Sequence, residues 1–145
     1  MKLSPNFHLD EFITSPTAAR LGIDNTPSPS VLERLKVTAG HLEKVRAVLK
    51  KPILISSGYR SPALNRAVGG SRTSDHMDGY AADFICPGFG PPLAVCKAIV
   101  AAGIKFDQLI EENGRWVHIG FGPRMRQSVL TWNGPGKGYT RGLRA

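Results

Sequence analysis

The sequence predicts an α+β fold, in which a small, mostly antiparallel sheet is flanked by helices. The long segment 30–50 has apolar residues at helical spacing and predicts an amphipathic helix. Short apolar segments elsewhere have the length and composition of strands. The predicted strands are 52–57, 81–85, 106–111 and 115–121. Asn113-Gly114 lies between the last two and is a strong turn signal, which makes these two strands an antiparallel hairpin.

The long helix has two candidate starts. Ser30-x-x-Glu33 has the pattern of a capping box, whereas Ser28-Pro29 places a capping side chain and a helix-starting proline slightly earlier. The apolar face of this helix is expected to join the core, and it consists of Val31, Leu35, Leu42, Val45 and Leu49. His41 on the same helix is expected to be an exposed or capping residue rather than a metal ligand.

Shorter helices are predicted on both sides of this region. A serine-proline pair can cap and open a helix over 15–21, and a proline pair can open another over 92–102. The second helix is expected to bury Leu93, Cys96, Ile99 and Val100. Cys86 and Cys96 are expected to be free, buried thiols, and a bridge between them stays open as an alternative.

The composition is that of a basic globular protein. The 145 residues suit one domain spanning 1–145, and 41% of them are hydrophobic. A net charge of +8 and a pI near 9.9 favour an anionic partner such as nucleic acid, a membrane or a bacterial wall polymer. The basic residues are scattered and do not form the basic-aromatic array that single-stranded nucleic acid needs. We therefore expect a wall polymer, and no nucleic acid partner.

The two ends of the chain carry further expectations. The N-terminus lacks the apolar core of a secretion signal, and no apolar run is long enough to span a membrane. We expect synthesis in the cytoplasm without a signal peptide, and no stable membrane insertion. The Gly- and Arg-rich segment 123–145 is expected to be a wrapping tail with little regular structure.

Three side chains are candidate metal ligands. His76 and Asp83 stand seven positions apart with Gly79 between them, and Asp83 projects from a predicted strand. His118 follows on a later strand. Two imidazoles and one carboxylate are a common ligand set for a catalytic zinc, which keeps its fourth position open for water. The pattern therefore predicts a site for one Zn²⁺.

The pattern S-x-H-x-x-G-x-A-x-D over 74–83 resembles the zinc peptidases of the D-Ala-D-Ala carboxypeptidase family, the M15 group. Segments 57–62 and 106–112 are similar to the flanking signatures of that family, and 6–12 resembles its compact phage and prophage branch. The hedgehog signalling domain has the same core. The resemblance covers about residues 6–122 and implies a hedgehog-like or D-Ala-D-Ala-peptidase-like fold.

The resemblance also implies roles for individual residues. By this resemblance, the three candidate ligands are expected to hold one zinc ion. Arg60 is expected to lie over the zinc site, where its guanidinium would bind a substrate carboxylate or stabilise the forming oxyanion. Apart from the resemblance, Ser74 stands two residues before His76, where its hydroxyl would orient the site, contact substrate or only satisfy local backbone groups. Residues 1–29 are implied to form a layer that packs against the core.

The general base has two interpretations, both in the predicted hairpin. With a two-residue turn, strand alternation places Asp107 and Glu111 on the face of His118. The resemblance instead favours Glu112, since a glutamate precedes the last histidine ligand by six positions in the hedgehog domain. A bulge near the turn would reconcile the two. We predict Glu112 as the base, with Glu111 as the alternate and Asp107 as a further candidate.

The function that these features predict is zinc-dependent hydrolysis of peptide bonds in the peptide stems of bacterial peptidoglycan. A monomeric phage or prophage lysis enzyme, acting at the cell wall after release from the cytoplasm, fits the resemblance. Two alternatives stay open: a zinc-binding module that binds the wall without cutting it, and a phage tail component that penetrates the wall. The sequence also leaves open whether the enzyme is a carboxypeptidase or an endopeptidase.

Overall fold

The computed structural model describes residues 1–144, so Ala145 at the end of the predicted tail lies outside the described residues. The helices are α1 (Leu9–Ile13), α2 (Pro16–Leu21), α3 (Pro29–Leu49), α4 (Pro62–Ala67) and α5 (Pro92–Ala101). The strands are β1 (Lys2–Ser4), β2 (Phe7–His8), β3 (Leu54–Ser57), β4 (Ala81–Ile85), β5 (Gln108–Glu112), β6 (Trp116–Gly120), β7 (Ser128–Trp132) and β8 (Tyr139–Arg141). A short 3₁₀ turn, Asp75–Asp78, precedes β4.

The central sheet has the strand order β3-β4-β6-β5-β7-β8, while β1 and β2 form a separate pair. Neighbours in the central sheet run antiparallel except β5 and β7, which are parallel. α3 and α5 pack against one face of this sheet and enclose the hydrophobic core with it. The predicted α+β class, with a mostly antiparallel sheet and flanking helices, is confirmed.

α3 begins at the earlier of its two candidate starts. Ser28 Oγ accepts the Val31 N–H at 3.3 Å, and Pro29 is the first helical residue. The predicted apolar face of this helix is buried throughout. His41 is partly buried, and its ring stacks on Phe121 with the centroids 4.6 Å apart. Across residues 1–144, no helix has both the length and the hydrophobicity that a membrane crossing needs.

α5 presents a slightly different side to the core from the predicted one. Val95, Cys96 and Ile99 are buried, whereas Val100 is 45% exposed. The expectation that Val100 is buried is wrong, because the Val95–Ile99 stripe faces the sheet and the residue after Ile99 lies about 100° further round the helix. Cys86 and Cys96 are both free and buried.

The N-terminal segment is joined to the core beside the loop that follows β3. Phe7 and Phe12 are both 1% exposed and pack edge to face. Gly58 approaches so closely that a side chain there would lie 2.7 Å from the Phe12 backbone. The Tyr59 N–H donates to the Phe12 carbonyl at 2.7 Å. Because α1 is tied to this loop, it helps to hold the backbone that carries Arg60.

The segment after Gly122 contradicts the expectation of a tail with little regular structure. β7 pairs in parallel with β5, and β8 pairs with β7. The connection starts with the Ser128 N–H, which donates to the Asp107 carbonyl at 2.9 Å. An edge strand leaves a row of backbone groups unpaired, and the β-prone run 128–132 satisfies that row on β5. The predicted tail therefore forms one side of the sheet.

Candidate metal centre and catalytic cleft

His76, Asp83 and His118 converge on one point of the exposed sheet face. Their ligand atoms all lie within 4.8 Å of one another. Asp83 Oδ1 is 3.1 Å from His76 Nε2 and 3.0 Å from His118 Nδ1. Asp83 on β4 and His118 on β6 are cross-strand partners, so sheet pairing alone brings these two together.

His76 is delivered by the 3₁₀ turn before β4. Ser74 Oγ caps this turn by accepting the His76 N–H at 3.2 Å. Gly79 ends it with φ +80°, and a side chain at Gly79 would meet Val31 of α3 at 3.1 Å. The buried Thr38 hydroxyl donates to the Gly79 carbonyl at 2.7 Å. The turn is therefore anchored to the long helix, and it needs glycine at its end.

The donor set fits a metal cation. The His76 Nδ1–H donates to the Gly58 carbonyl at 2.6 Å, so in the neutral imidazole the Nε2 lone pair faces Asp83 Oδ1. Two acceptors at this distance repel each other unless a proton or a metal ion lies between them. Zinc is bound through neutral imidazole nitrogens and carboxylate oxygens, and a metal-ligating histidine commonly donates its other N–H to a backbone carbonyl.

The electrostatics of the cluster favour a cation as well. Burial alone would raise the pKa of Asp83, yet the adjacent imidazoles of His76 and His118 hold it well below its usual range. Burial alone would lower the pKa of His118, but the hydrogen bond to Asp83 and its negative charge raise it. Asp83 is therefore a carboxylate at neutral pH, and in the metal-free protein its charge is balanced by positive charge on the two imidazoles, which a bound metal ion would replace.

The hairpin has a three-residue connection, and this decides which glutamate faces the cluster. Glu112 pairs with Trp116 and Ile110 pairs with His118. The register based on a two-residue turn is therefore wrong by one residue. Asn113 and Gly114 both have positive φ, and the Arg115 N–H donates to the Glu112 carbonyl at 3.0 Å. The tight turn is thus present, and Arg115 is the extra residue that shifts the pairing, as a bulge does.

Glu112 lies on the same sheet face as the His76–Asp83–His118 cluster. Its neighbours across the sheet are Trp116 on β6 and Trp132 on β7. Burial among these groups raises the pKa of Glu112 to about 7, with the negative charge of Asp83 adding to the rise and His118 and Arg60 opposing it. A carboxyl group with a pKa near the working pH is well suited to general acid–base catalysis.

Glu111 and Asp107 do not face the cluster, so the two alternate positions for the base are disfavoured by geometry. Glu111 is 2% exposed on the covered face of the sheet, where its carboxylate accepts the Gly114 N–H at 3.1 Å. Asp107 is 3% exposed and forms a two-pronged ion pair with Arg126 at 2.9 and 3.0 Å. Both contacts occupy the carboxylate oxygens that a base would use.

Arg60 lies beside the cluster, with its guanidinium largely unpaired. The Arg60 N–H donates to the His76 carbonyl at 3.1 Å, which fixes its backbone against the metal-ligand turn. Its Nη2 reaches Ser74 Oγ at only 3.5 Å, and within residues 1–144 its buried Nε has no hydrogen-bond partner. Burial lowers the pKa of Arg60, while Asp83 and Glu112 raise it. An arginine with donors left over in a cleft is suited to bind an anionic group.

Asn25 supports this loop, and the sequence reasoning missed it. Its Nδ2 donates to the carbonyls of Ile13 at 2.9 Å and Tyr59 at 3.1 Å. Its Oδ1 accepts the Ser61 N–H at 2.8 Å. Asn25 thereby bonds to the residues on both sides of Arg60. Nothing in the local sequence around an asparagine could reveal contacts with residues 34 and 36 positions away.

The cluster lies in an open cleft of about 720 Å³. Arg60 and the loop 68–76 form one wall, and the strands β5 and β6 form the floor. The other wall comes from the segment 124–139, including Leu130, Trp132 and Tyr139. A smaller pocket of about 200 Å³ adjoins the cleft and shares Arg60, Val68 and Asp83 with it. The cleft has room for an extended ligand that passes over the cluster.

Comparison with known proteins agrees with a metal site in a peptidase. The family model described as Peptidase M15 matches residues 5–120, which is most of the chain. A search of curated proteins found no match. M15 peptidases are zinc-dependent metallopeptidases, and the matched segment contains the ligand cluster, Arg60 and Glu112. Taken with the geometry of the cluster, the match shows that the chain belongs to the peptidase M15 family.

Proposed function

We propose that the protein is a zinc-dependent peptidase that hydrolyses peptide bonds in bacterial peptidoglycan. The observation that carries this proposal is the arrangement of the cleft floor and wall. Glu112 and the largely unpaired Arg60 both face the His76–Asp83–His118 cluster, in which His76 is buried and the other two side chains are partly exposed. This arrangement offers a metal site, a base and an anion-binding group within one cleft.

The cluster supplies three protein ligands, the number usual for a catalytic zinc. His76 Nε2, Asp83 and His118 Nδ1 would hold the ion. When bound there, zinc would polarise the scissile carbonyl and make a water molecule acidic enough to be deprotonated near neutral pH. Gly58 and Ser74 keep the His76 ring and backbone in the required orientation.

Glu112 is the group that can move the proton. Its carboxylate can accept a proton from the attacking water, and its raised pKa of about 7 allows it to hold that proton and give it to the leaving amine. The same residue thus serves as base in the first half of the hydrolysis and as acid in the second.

Arg60 can bind negative charge on the substrate. Its guanidinium can donate to a peptide carboxylate or to the oxyanion that forms at the scissile carbonyl. The backbone contact with the His76 carbonyl holds the Arg60 backbone close to the cluster.

Peptidoglycan is the substrate class that best fits the charge and the cleft. A net charge of +8 attracts the protein to an anionic envelope. A cleft of about 720 Å³ accommodates several residues of a peptide stem. We propose that the enzyme acts as a monomer in phage or prophage lysis, reaching the cell wall after release from the cytoplasm, with no nucleic acid partner and no stable membrane insertion.

The test is digestion of purified peptidoglycan by the zinc-loaded protein, with mass spectrometry of the released fragments. We expect new amine and carboxyl ends in the stem peptides, and the fragment masses identify the bond that is cut. Removing the metal with a chelator should stop the release, and adding Zn²⁺ should restore it.

The control is the His118→Ala variant, prepared in the same way and checked for folding. Intact peptidoglycan after digestion by a fully zinc-loaded wild type would refute the proposed hydrolysis. Tight binding to the wall under those conditions would instead support the binding-module alternative.

A further inference from the structure

Three aromatic side chains and Glu112 form one row that crosses from the cleft floor to the wall formed by the segment 124–139. In the sheet register, Glu112 lies opposite Trp116 on one side and Trp132 on the other, and Trp132 lies opposite Tyr139. We call Trp116, Trp132 and Tyr139 the aromatic row. The two indole centroids are 6.3 Å apart, so the tryptophans lean towards each other over the strand between them. Tyr139 at the outer end is 58% exposed.

The two ends of the cleft differ in chemistry. Gln108, Ile110 and Glu112 follow one another on the open face of β5, and Ile110 is level with His118. Since alternate residues of a strand are about 7 Å apart, the aromatic row lies about 7 Å from the His118 level on one side. The level of Gln108 lies about 7 Å away on the other side, where the cleft is polar and lined by Arg124 and Arg126.

The outer half of the aromatic row lies outside the family match. Trp132 and Tyr139 belong to β7 and β8, whereas the match covers residues 5–120. β7 and β8, which lie in the segment predicted to be a wrapping tail, therefore add a wall that the family match does not explain. A wall of this kind is suited to determine specificity, because it touches the ligand without taking part in the chemistry.

The shape of the aromatic row favours a saccharide over a single amino-acid side chain. The row crosses from β6 to β8, which is three strand spacings or about 14 Å. It offers flat apolar faces together with indole N–H and phenol O–H groups at their edges. Sugar rings have the matching character, with apolar C–H faces and hydroxyl groups around the rim. A lone apolar side chain would cover only part of such a row.

We propose that the aromatic row is a saccharide subsite, which binds an N-acetylated sugar of the glycan strand while the attached peptide stem passes over the cluster. The inference rests on the proposed function and deepens it. The aromatic row lies about 7 Å from the level of His118, a distance that about two residues of an extended peptide would span. A stem peptide that still carries its sugar is therefore the preferred substrate, and the bond attacked lies close to the sugar.

The first test measures binding without using activity. The chain has two tryptophans, both in the aromatic row, so its intrinsic tryptophan fluorescence reports on this site alone. The probe is the disaccharide of N-acetylglucosamine and N-acetylmuramic acid, without peptide. We expect a saturable change in emission, with affinity reduced about ten-fold in Tyr139→Ala and recovered in Tyr139→Phe.

The second test compares two substrates, a stem peptide that carries N-acetylmuramic acid and the same peptide with an acetylated amine. We expect wild-type kcat/KM to be about ten-fold higher for the sugar-carrying peptide, and the ratio to fall towards one in Trp132→Ala. Trp132→Phe should keep part of the preference. Phe89→Ala is the matched control, since Phe89 is 40% exposed but does not line the cleft. Zinc content and melting temperature are measured for every variant.

Several outcomes would overturn the subsite. One is a tryptophan emission that changes when an apolar dipeptide is added but not when the disaccharide is added. Another is equal wild-type kcat/KM for the two peptides, and a third is a preference that survives in both Trp132→Ala and Tyr139→Ala. Failure of the proposed function looks different, because zinc-loaded wild type would then cut neither peptide. In that case the fluorescence titration still decides whether the aromatic row binds the sugar.

Discussion

Replacing Glu112 with glutamine separates catalysis from metal binding more sharply than any other single change in this cleft. Glutamine keeps the size of the side chain but cannot take a proton from water. We expect Glu112→Gln to fold and to retain zinc, since Glu112 lies outside the cluster of His76, Asp83 and His118. Its kcat for peptidoglycan hydrolysis should fall about 10²- to 10⁴-fold, the range for losing a general base.

Although Glu112→Gln should lose activity, its metal-free form should be more stable than the metal-free wild type. A rise in pKa from 4.5 to about 7 corresponds to about 3 kcal/mol, and since Glu112 is only half-buried, about 1–2 kcal/mol is the realistic cost of its charge. The unfolded chain loses this proton at lower pH than the folded one. The free energy of unfolding, and with it the stability, therefore falls as pH rises from 4.5 to about 7 and stays lower above that range. Glu112→Gln removes this penalty, so it should raise the melting temperature at pH values above 7 and not below 4.5.

Glu111→Gln is the matched control, one position away on the opposite face. Its amide oxygen can still accept the Gly114 N–H, but its NH₂ group would be buried without a partner. We expect the free energy of unfolding to fall by about 1–2 kcal/mol and kcat to stay within a few-fold of wild type.

The assay measures hydrolysis of purified peptidoglycan by both variants at matched zinc content, with thermal melts of metal-stripped protein. An inactive Glu111→Gln beside an active Glu112→Gln would refute the assignment of the base from the hairpin register. Loss of zinc from Glu112→Gln would show that this glutamate is a ligand instead.

Further predictions concern the metal, the arginine and the pH profile. Metal analysis is expected to find one zinc per chain in the wild type, and His76→Ala, Asp83→Ala and His118→Ala should each lose most of it; full occupancy in all three variants would disprove the ligand set. Arg60→Ala should lower kcat/KM about ten- to a thousand-fold with unchanged zinc content and melting temperature, and wild-type turnover would make it an ordinary surface charge. The kcat/KM of the wild type should rise with pH through an apparent pKa at or below 7, because a bound cation would lower the raised pKa of Glu112, and Glu112→Gln should lack this limb.

The sequence predicted the central architecture because its signals are local or follow from strand pairing. The long helix, the buried strand that carries Asp83 and the hairpin that carries His118 are all present. A helix cap and an apolar stripe lie within a few residues of each other, so they can be read without knowing the rest of the fold. The motif that joins His76 to Asp83 likewise spans only ten residues, and the structure brings its two side chains to one cluster with His118.

The face presented by each glutamate could not be settled from the sequence. Strand alternation has a period of two, so one extra residue in a turn exchanges the two faces of the whole strand. Asn113-Gly114 predicted a tight turn, and it is there, but Arg115 adds the residue that puts Glu112 on the open face and Glu111 on the covered one. A bulge near the turn is compatible with the sequence, but only the pairing in the folded sheet selects it.

The second wall of the cleft was decided by tertiary structure alone. The sequence by itself singled out His76, Asp83, His118 and Arg60 as candidate site residues, because each stands in a local motif, and it left the base open among Glu112, Glu111 and Asp107. β7 and β8 instead form because the edge of β5 leaves backbone groups that another strand can satisfy. A run of five β-prone residues between glycine-rich segments carries no sign of the strand it will join. The aromatic row exists only because that pairing sets Trp132 and Tyr139 in register with Glu112 and Trp116.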